Sequence, residues 1–115
     1  MKLLSVNMTS NLASGGGSAA RLVQVTRVLL ELGVSCTVAT ADANVSAYVA
    51  GRLHGARLIC LPSVGGRFRV PVGGFLQLDA AVADADVVML LNHWTMINVL
   101  AWRSLRRHMT PFVVC

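Results

Sequence analysis

Residues 2–40 read KLLSVNMTSNLASGGGSAARLVQVTRVLLELGVSCTVAT and have the pattern of a strand, a helix and a second strand. Residues 2–7 and 34–40 are short apolar runs of strand length. Residues 18–32 carry an apolar stripe at helical spacing, made of Leu22, Val25, Val28, Leu29 and Leu32. Gly33 supplies a stop at the end of this helix. The pattern predicts two parallel strands joined by a crossover helix.

The same alternation continues to the end of the chain. It predicts three further strands, at residues 56–61, 86–91 and 111–115. It also predicts three further helices, at residues 45–53, 74–83 and 94–108, with a Gly- and Pro-rich loop at 62–73. We therefore expect an α/β fold in one domain spanning residues 1–115, a Rossmann-like doubly wound parallel sheet with strand order 3-2-1-4-5.

The composition is unusually apolar for a free-standing small domain. Of 115 residues, 55% are hydrophobic and only 13% are charged, whereas about a quarter is the usual charged share. Such a chain buries enough surface to fold, which excludes a disordered tail. The fifth strand also stops in the middle of an apolar run, with no closing helix or polar tail. We expect a domain truncated after its fifth strand and belonging to a larger protein.

The net charge of +5 comes from nine arginines and one lysine against five acidic residues. The arginines are dispersed, and only Arg67-Phe68-Arg69 combines basic and aromatic residues locally, so nucleic acid is not the expected partner. Arg103, Arg106 and Arg107 share one helical face. That face is either simply solvated or, together with the 67–69 loop, contacts an anionic ligand or an anionic membrane.

Two loops are expected to meet where the winding of the sheet reverses, between strands one and four. Residues 8–17 follow strand one and end in Gly15-Gly16-Gly17, which would bring free backbone N–H groups of a helix start to a phosphate. The alternative is a flexible connecting loop. Asn92-His93-Trp94 follow strand four and could hydrogen-bond hydroxyl groups and stack on a sugar ring. The alternative is that His93 is a half-buried residue with its hydrogen bonds satisfied, and that Trp94 covers the end of the helix. His93 is also a candidate catalytic base.

A dinucleotide site is the competing interpretation of the same glycines. Gly15, Gly17 and Ala20 satisfy G-x-G-x-x-A, and Asp42 lies near the end of strand two, where an acid binds a ribose. Seven residues separate strand one from Gly15, however, whereas the fingerprint starts directly after the strand. A P-loop is excluded because no lysine follows the glycines.

Other chemistry has little support in the sequence. Cys36, Cys60 and Cys115 lack metal-site or C-x-x-C spacing and are expected to be buried, reduced thiols of a cytosolic protein. We expect no metal site and no complete catalytic apparatus within the chain. The apolar run near the N-terminus is too short for a signal peptide, and residues 87–102 are interrupted by polar residues, which argues against a spanning helix.

Taken together, these segments resemble the N-terminal half of a group 1 (family 4) glycosyltransferase of the GT-B fold. The resemblance rests on three segments: residues 1–38, with the glycine turn and the Leu-Gly end of the first helix; residues 84–94, DADVVMLLNHW; and residues 103–114, RSLRRHMTPFVV. It covers almost the whole chain. The sequence departs from the family at Val34-Ser35, where many relatives have a histidine and a polar residue after the glycine.

The resemblance implies that two Rossmann-like domains move a sugar from a nucleotide-diphosphate sugar to an acceptor hydroxyl with retention. This chain would be the acceptor-side domain, with Gly15, Gly16 and Gly17 near the donor phosphate, Asn92, His93 and Trp94 lining the acceptor crevice, and no cofactor. The missing C-terminal domain would hold the nucleotide, and the family's usual histidine would follow residue 115, so this chain alone is expected to be inactive. The protein would be cytoplasmic, or peripheral to the inner face of the membrane.

Two alternative functions stay open. They are a stand-alone nucleotide- or dinucleotide-binding module and a flavodoxin-like signalling domain. The signalling domain is disfavoured because no acidic cluster follows strand one.

Overall fold

The computed structural model describes residues 1–9, 12–42, 47–64, 70–91 and 95–114, with backbone only for 12–16, 18 and 47. It contains a parallel sheet of five strands in the order β3-β2-β1-β6-β7. These strands are β1 (Lys2–Asn7), β2 (Ser35–Thr40), β3 (Arg57–Cys60), β6 (Val87–Leu90) and β7 (Phe112–Val114). They are the five strands expected from the sequence, each placed within a residue or two, and their order confirms the Rossmann-like α/β fold.

Four helices connect the strands: α1 (Leu12–Glu31), α2 (Ala47–Arg52), α3 (Phe75–Asp84) and α4 (Met96–His108). A short antiparallel hairpin of β4 (Ser63–Val64) and β5 (Val70–Pro71) precedes α3. The hairpin falls in the segment that the sequence predicts as a loop. Strands of two residues are too short to carry a detectable alternation, so the pattern gave no signal for them.

The sheet is covered on both faces because alternate strand residues point to opposite sides. Leu4, Val6, Val88 and Leu90 belong to one buried cluster with residues of α3 and α4. Residues of the opposite parity, Val38, Met89 and Leu91 among them, pack with Leu22 of α1. The helices therefore form two layers: α1 with α2 on one face, and α3 with α4 on the other.

Helix α1 ends as predicted at Gly33. This glycine has a φ of 85°, the left-handed conformation that glycine adopts without strain. The Gly33 N–H donates to the Leu30 carbonyl and the Val34 N–H to the Leu29 carbonyl, which closes the last turn as a Schellman motif. The start of α1 differs from the prediction, because the helix begins at Leu12 rather than at residue 18.

Strand β1 is the centre of the core. It pairs with β2 along its whole length and with β6 from Leu3 to Val6. Leu4 is 1% exposed and Val6 is fully buried. At the opposite extreme, β7 forms one edge of the sheet, and its three residues are all exposed.

Truncating β1 at its buried centre should destabilise the chain strongly. Leu4→Ala is expected to lower the free energy of unfolding by about 2–5 kcal/mol, since it leaves a cavity between the sheet and helices α3 and α4. Denaturant unfolding followed by circular dichroism measures the change. Val28→Ala on the exposed side of α1 is the control and should shift stability by only about 0.5 kcal/mol. Similar losses in both variants would contradict this placement of the core.

Candidate functional site

The carboxyl ends of β1, β2, β3 and β6 meet at one edge of the sheet, and backbone hydrogen bonds join the residues just beyond them. The Ala41 N–H donates to the Met8 carbonyl at 3.0 Å, and the Leu91 N–H donates to the Val6 carbonyl at 2.9 Å. The Leu61 N–H similarly donates to the Thr40 carbonyl at 2.8 Å. The loops that leave these strands therefore start side by side. In open α/β sheets this edge is where ligands bind, at the point where the winding reverses.

Asn7 ends β1 and shapes the first part of its loop. Its side chain is fully buried, and its Nδ2 donates to the Thr9 carbonyl at 2.9 Å. Its Oδ1 accepts from the Met8 N–H at 3.0 Å. These local bonds occupy backbone groups that would otherwise continue the sheet, so the chain turns away from β1 at this residue.

Thr9 and Asp42 join the loops after β1 and β2. The Thr9 hydroxyl donates to Asp42 Oδ1 at 2.7 Å, and the two residues are 2% and 5% exposed. A carboxylate buried to this extent needs hydrogen-bond donors to offset the lost hydration. Asp42 stands where an acidic residue contacts ribose in a dinucleotide site, but here its carboxylate holds the loop after β1. This contact disfavours the dinucleotide interpretation.

Cys60 and Asn98 complete the polar edge of the sheet. Burial raises the pKa of the Cys60 thiol, and the negative charge of Asp42 acts in the same direction. The thiol is therefore protonated and weakly nucleophilic near neutral pH. On the other side of β1, the buried Asn98 of α4 donates through Nδ2 to the Leu91 carbonyl at 2.8 Å. This bond fixes the first turns of α4 against the end of β6.

The predicted acceptor residues Asn92, His93 and Trp94 lie outside the described residues, as do Arg67 and Arg69. Their proposed roles stay predictions. The described residues on either side are the buried Leu91 and the half-buried Thr95. Strand β6 thus ends at the edge where the loop after β1 begins.

The glycines predicted to form a turn before α1 lie inside the helix instead. Because α1 begins at Leu12, Gly15, Gly16 and Gly17 follow its first turn. The N–H groups without an intrahelical partner are those of the first turn, up to residue 14, and not those of the glycines. The expected turn is therefore wrong. Gly17 is exposed, and a Cβ there would have no atom within 4 Å.

The predicted arginine face lies on α4, away from the carboxyl edge. Arg103, Arg106 and Arg107 are all exposed. They follow the start of the helix by seven to eleven residues, which is about 10–17 Å along its axis. The structure does not bring them to the crevice.

A second polar cluster, which is not predicted from the sequence, joins α3 to α4. Asp79 accepts hydrogen bonds from Ser104 Oγ at 2.9 Å and His108 Nε2 at 3.1 Å. The Arg107 Nη1 atom lies 3.4 Å from Asp79 Oδ1. The hydrogen bonds from His108 and Ser104 are the main reason that the pKa of Asp79 is lowered, and the charges of His108 and Arg107 act in the same direction. Ser104 and His108 both donate to the same carboxylate, so this cluster is a clamp between helices and not a nucleophile–base pair.

The remaining chemical expectations concern thiols, metals and membrane spans. Cys36 is buried and Cys60 half-buried, and both are unpaired, while Cys115 lies outside the described residues. Within the described ranges, no group of three or more His, Cys, Asp or Glu side chains could hold a metal ion. In the same part of the chain, no helix has both the length and the apolarity to cross a bilayer.

Comparison with known proteins adds no family assignment. A scan against protein-family models gives no match, and a search of curated proteins gives none either. The fold and the chemistry of the carboxyl edge are therefore the basis for any functional conclusion.

Removing the donor from the buried Thr9–Asp42 pair should weaken the fold measurably. Thr9→Val is expected to lower the free energy of unfolding by about 1–3 kcal/mol, because the Asp42 carboxylate loses a hydrogen bond in a buried position. Thr37→Val, at a half-buried position of β2, is the matched control and should change stability little. In a double-mutant cycle, Thr9→Val and Asp42→Asn should be strongly non-additive. Additive losses would show that the two side chains do not interact.

The Asp79 clamp should make stability depend on acid pH. A depressed carboxyl pKa contributes stability above the pKa of the unfolded chain, and this contribution is lost as the pH falls through the folded-state pKa. Asp79→Asn should therefore be less stable than the natural chain at neutral pH, and the difference should shrink below about pH 4. Thermal unfolding across this pH range measures it. Asp84→Asn, which removes an exposed pair with Lys2, should have little effect at any pH. A constant deficit of Asp79→Asn down to the lowest pH would contradict the clamp.

Proposed function

We propose that the chain forms the acceptor-side domain of a retaining, nucleotide-sugar-dependent glycosyltransferase built from two Rossmann-like domains. The sheet order carries this proposal. With β1 between β2 and β6, the loop that leads to the glycines and the loop that contains Asn92-His93-Trp94 begin at the same edge. A crevice at this point suits a reaction in which the donor and the acceptor must meet.

The donor diphosphate is proposed to bind at the start of α1. The first turn of this helix offers backbone N–H groups and the positive end of the helix dipole, both of which favour an anion. Gly15, Gly16 and Gly17 contribute by carrying no side chains, which lets the donor phosphates approach the helix. This role differs from the one expected from the sequence, where the glycine amides themselves were to bind the phosphate.

The acceptor is proposed to bind beside β6. Asn92 and His93 would hydrogen-bond its hydroxyl groups, and Trp94 would stack on the apolar face of a ring. The buried Asn7, Thr9 and Asp42 form a rigid floor, because their side chains bond to one another and to the backbone. The remaining catalytic groups would come from a second domain, so we expect no turnover by this chain alone. The unpaired Cys36 and Cys60 are compatible with the reducing cytoplasm.

A stand-alone dinucleotide module is the competing function, and NAD titration separates the two. The Asp42 carboxylate is buried and bonded to Thr9, which leaves it poorly placed to accept from ribose hydroxyls. We expect no saturable binding of NAD to the purified chain. Saturable binding would favour the module over the transferase.

The Gly17→Ala variant tests whether Gly17 is needed for the proposed phosphate approach or only for the structure of α1. Alanine should stabilise α1 by about 0.5–1 kcal/mol, because Gly17 lies within the helix and a methyl group there has open space. The same methyl group would obstruct the proposed phosphate approach. Sugar transfer by the full gene product that carries this chain should therefore fall about tenfold, equivalent to about 1.4 kcal/mol of lost interaction. A radiolabelled nucleotide sugar and chromatography of the product measure the transfer.

Gly51→Ala is the matched control. Gly51 is also an exposed helical glycine with open space at its Cβ, but it lies in α2, away from the loop after β1. It should gain similar stability and leave transfer unchanged. Full activity of Gly17→Ala would contradict the phosphate site. Failure of every nucleotide sugar tested to support transfer would contradict the proposed function itself.

A further inference from the structure

The outer face of α4 combines exposed apolar side chains with arginines. Met96, Val99 and Trp102 are 42%, 43% and 44% exposed, and Arg103 and Arg106 are exposed beside them. The opposite side of the helix carries its buried residues, Ile97, Asn98, Ala101, Ser104 and Leu105. The first half of the helix is therefore apolar on its exposed side as well as on its buried side. Packing within the chain uses only the buried side. We use "outer face" for the five exposed residues Met96, Val99, Trp102, Arg103 and Arg106.

The neighbouring helix extends this apolar surface. Phe75 and Leu76 at the start of α3 are 48% and 87% exposed. They line a groove of about 390 Å³ between α3 and α4, together with Leu100, Arg103 and Arg107 of α4. The groove therefore has apolar walls from both helices, arginines on the α4 side and the Asp79 carboxylate on the α3 side.

The charge of this surface is strongly one-sided. Helix α4 contains no acidic residue, and its last turn carries Arg106, Arg107 and His108. Asp79 of α3 is already bonded to Ser104 and His108. Among the described residues neither Arg103 nor Arg106 has a carboxylate partner, and the Arg106 guanidinium lies 5.1 Å from the centre of the Trp102 ring. The surface can therefore accept several negative charges.

We propose that the outer face of α4 docks on an anionic lipid bilayer, with the helix lying in the interface. Apolar side chains beside arginines, with a tryptophan between them, are the arrangement found in interfacial helices. The arginine stems lie along apolar surface while their guanidinium groups reach lipid phosphates, and the indole suits the boundary between chains and headgroups. This proposal does not depend on the glycosyltransferase proposal.

The arginines also argue against a second copy of the chain as the occupant. A two-fold dimer through the same face would bring Arg103 and Arg106 of both copies into one interface, where their guanidinium groups repel one another. The repulsion would remain uncompensated, because the outer face has no carboxylate. An anionic bilayer instead supplies a dense array of negative groups over an apolar interior.

Vesicle sedimentation tests the proposal. The purified chain should sediment with vesicles of phosphatidylglycerol and phosphatidylcholine, should not do so with phosphatidylcholine alone, and should be released by high salt. Trp94→Phe leaves Trp102 as the one remaining tryptophan of the two in the sequence. The fluorescence of this variant should shift to the blue on binding, because the Trp102 ring leaves water.

Arginine variants locate the contact. Arg103→Gln with Arg106→Gln should weaken binding about 25-fold, taking about fivefold for each charge near the membrane. The control is Arg21→Gln with Arg57→Gln, which removes two exposed charges from α1 and β3 and should change binding far less. Val99→Ser should also weaken binding while leaving the thermal unfolding temperature close to that of the natural chain.

Any of the following results would overturn the proposal. These are absence of binding to anionic vesicles, equal losses in the control and outer-face variants, no blue shift of Trp102, and a reversible dimer that Val99→Ser dissociates. The dimer would identify a second copy as the occupant. Equal affinity for an acidic peptide in place of vesicles would identify a protein partner instead. Circular dichroism of each variant distinguishes loss of binding from loss of folding.

Discussion

Strand β1 is hydrogen-bonded on both edges and covered on both faces, and this double constraint positions the other elements. Its register pairs Leu3 with Cys36 of β2 and with Val87 of β6. A shift of one residue would exchange the apolar Leu4 and Val6 with the polar Ser5 and would break the packing on both faces. The register therefore holds the carboxyl ends of β1, β2 and β6 at one level. We place the candidate site at this level because the loops after these strands begin there.

The sequence predicts most of this architecture, because strands and helices differ in period and glycines punctuate them. Its clearest error is the start of α1. Three consecutive glycines are each about 1 kcal/mol worse than alanine in a helix, so the pattern favours a turn. In the structure the helix continues through them, and Ala19, Leu22 and Val23 behind them are buried. Tertiary packing of the later turns outweighs local propensity here.

The polar contacts of the candidate site are harder to predict than the strands. Thr9 and Asp42 are 33 residues apart, and only the register of β1 against β2 makes them neighbours. The available signal is a polar residue at the end of an apolar strand or within two residues of it, which also marks Asn7. Likewise, the spacing of Ser104 and His108 places them on one helical face. The sequence does not indicate that both of them contact a carboxylate of α3.

Helix α4 links the two functional proposals physically. Near its start, Asn98 bonds to Leu91, the residue after β6 and the one before the proposed acceptor residues 92–94. Ile97, Ala101 and Leu105 hold the same helix against the sheet, and the Asp79 clamp holds it against α3. A helix fixed at three places cannot rotate independently of the sheet. If the outer face lies on a bilayer, the carboxyl edge consequently takes one orientation relative to that surface. Met96 of the outer face is the first residue of α4, so the proposed crevice would then open close to the bilayer surface, roughly 10–15 Å along the helix from Arg103 and Arg106.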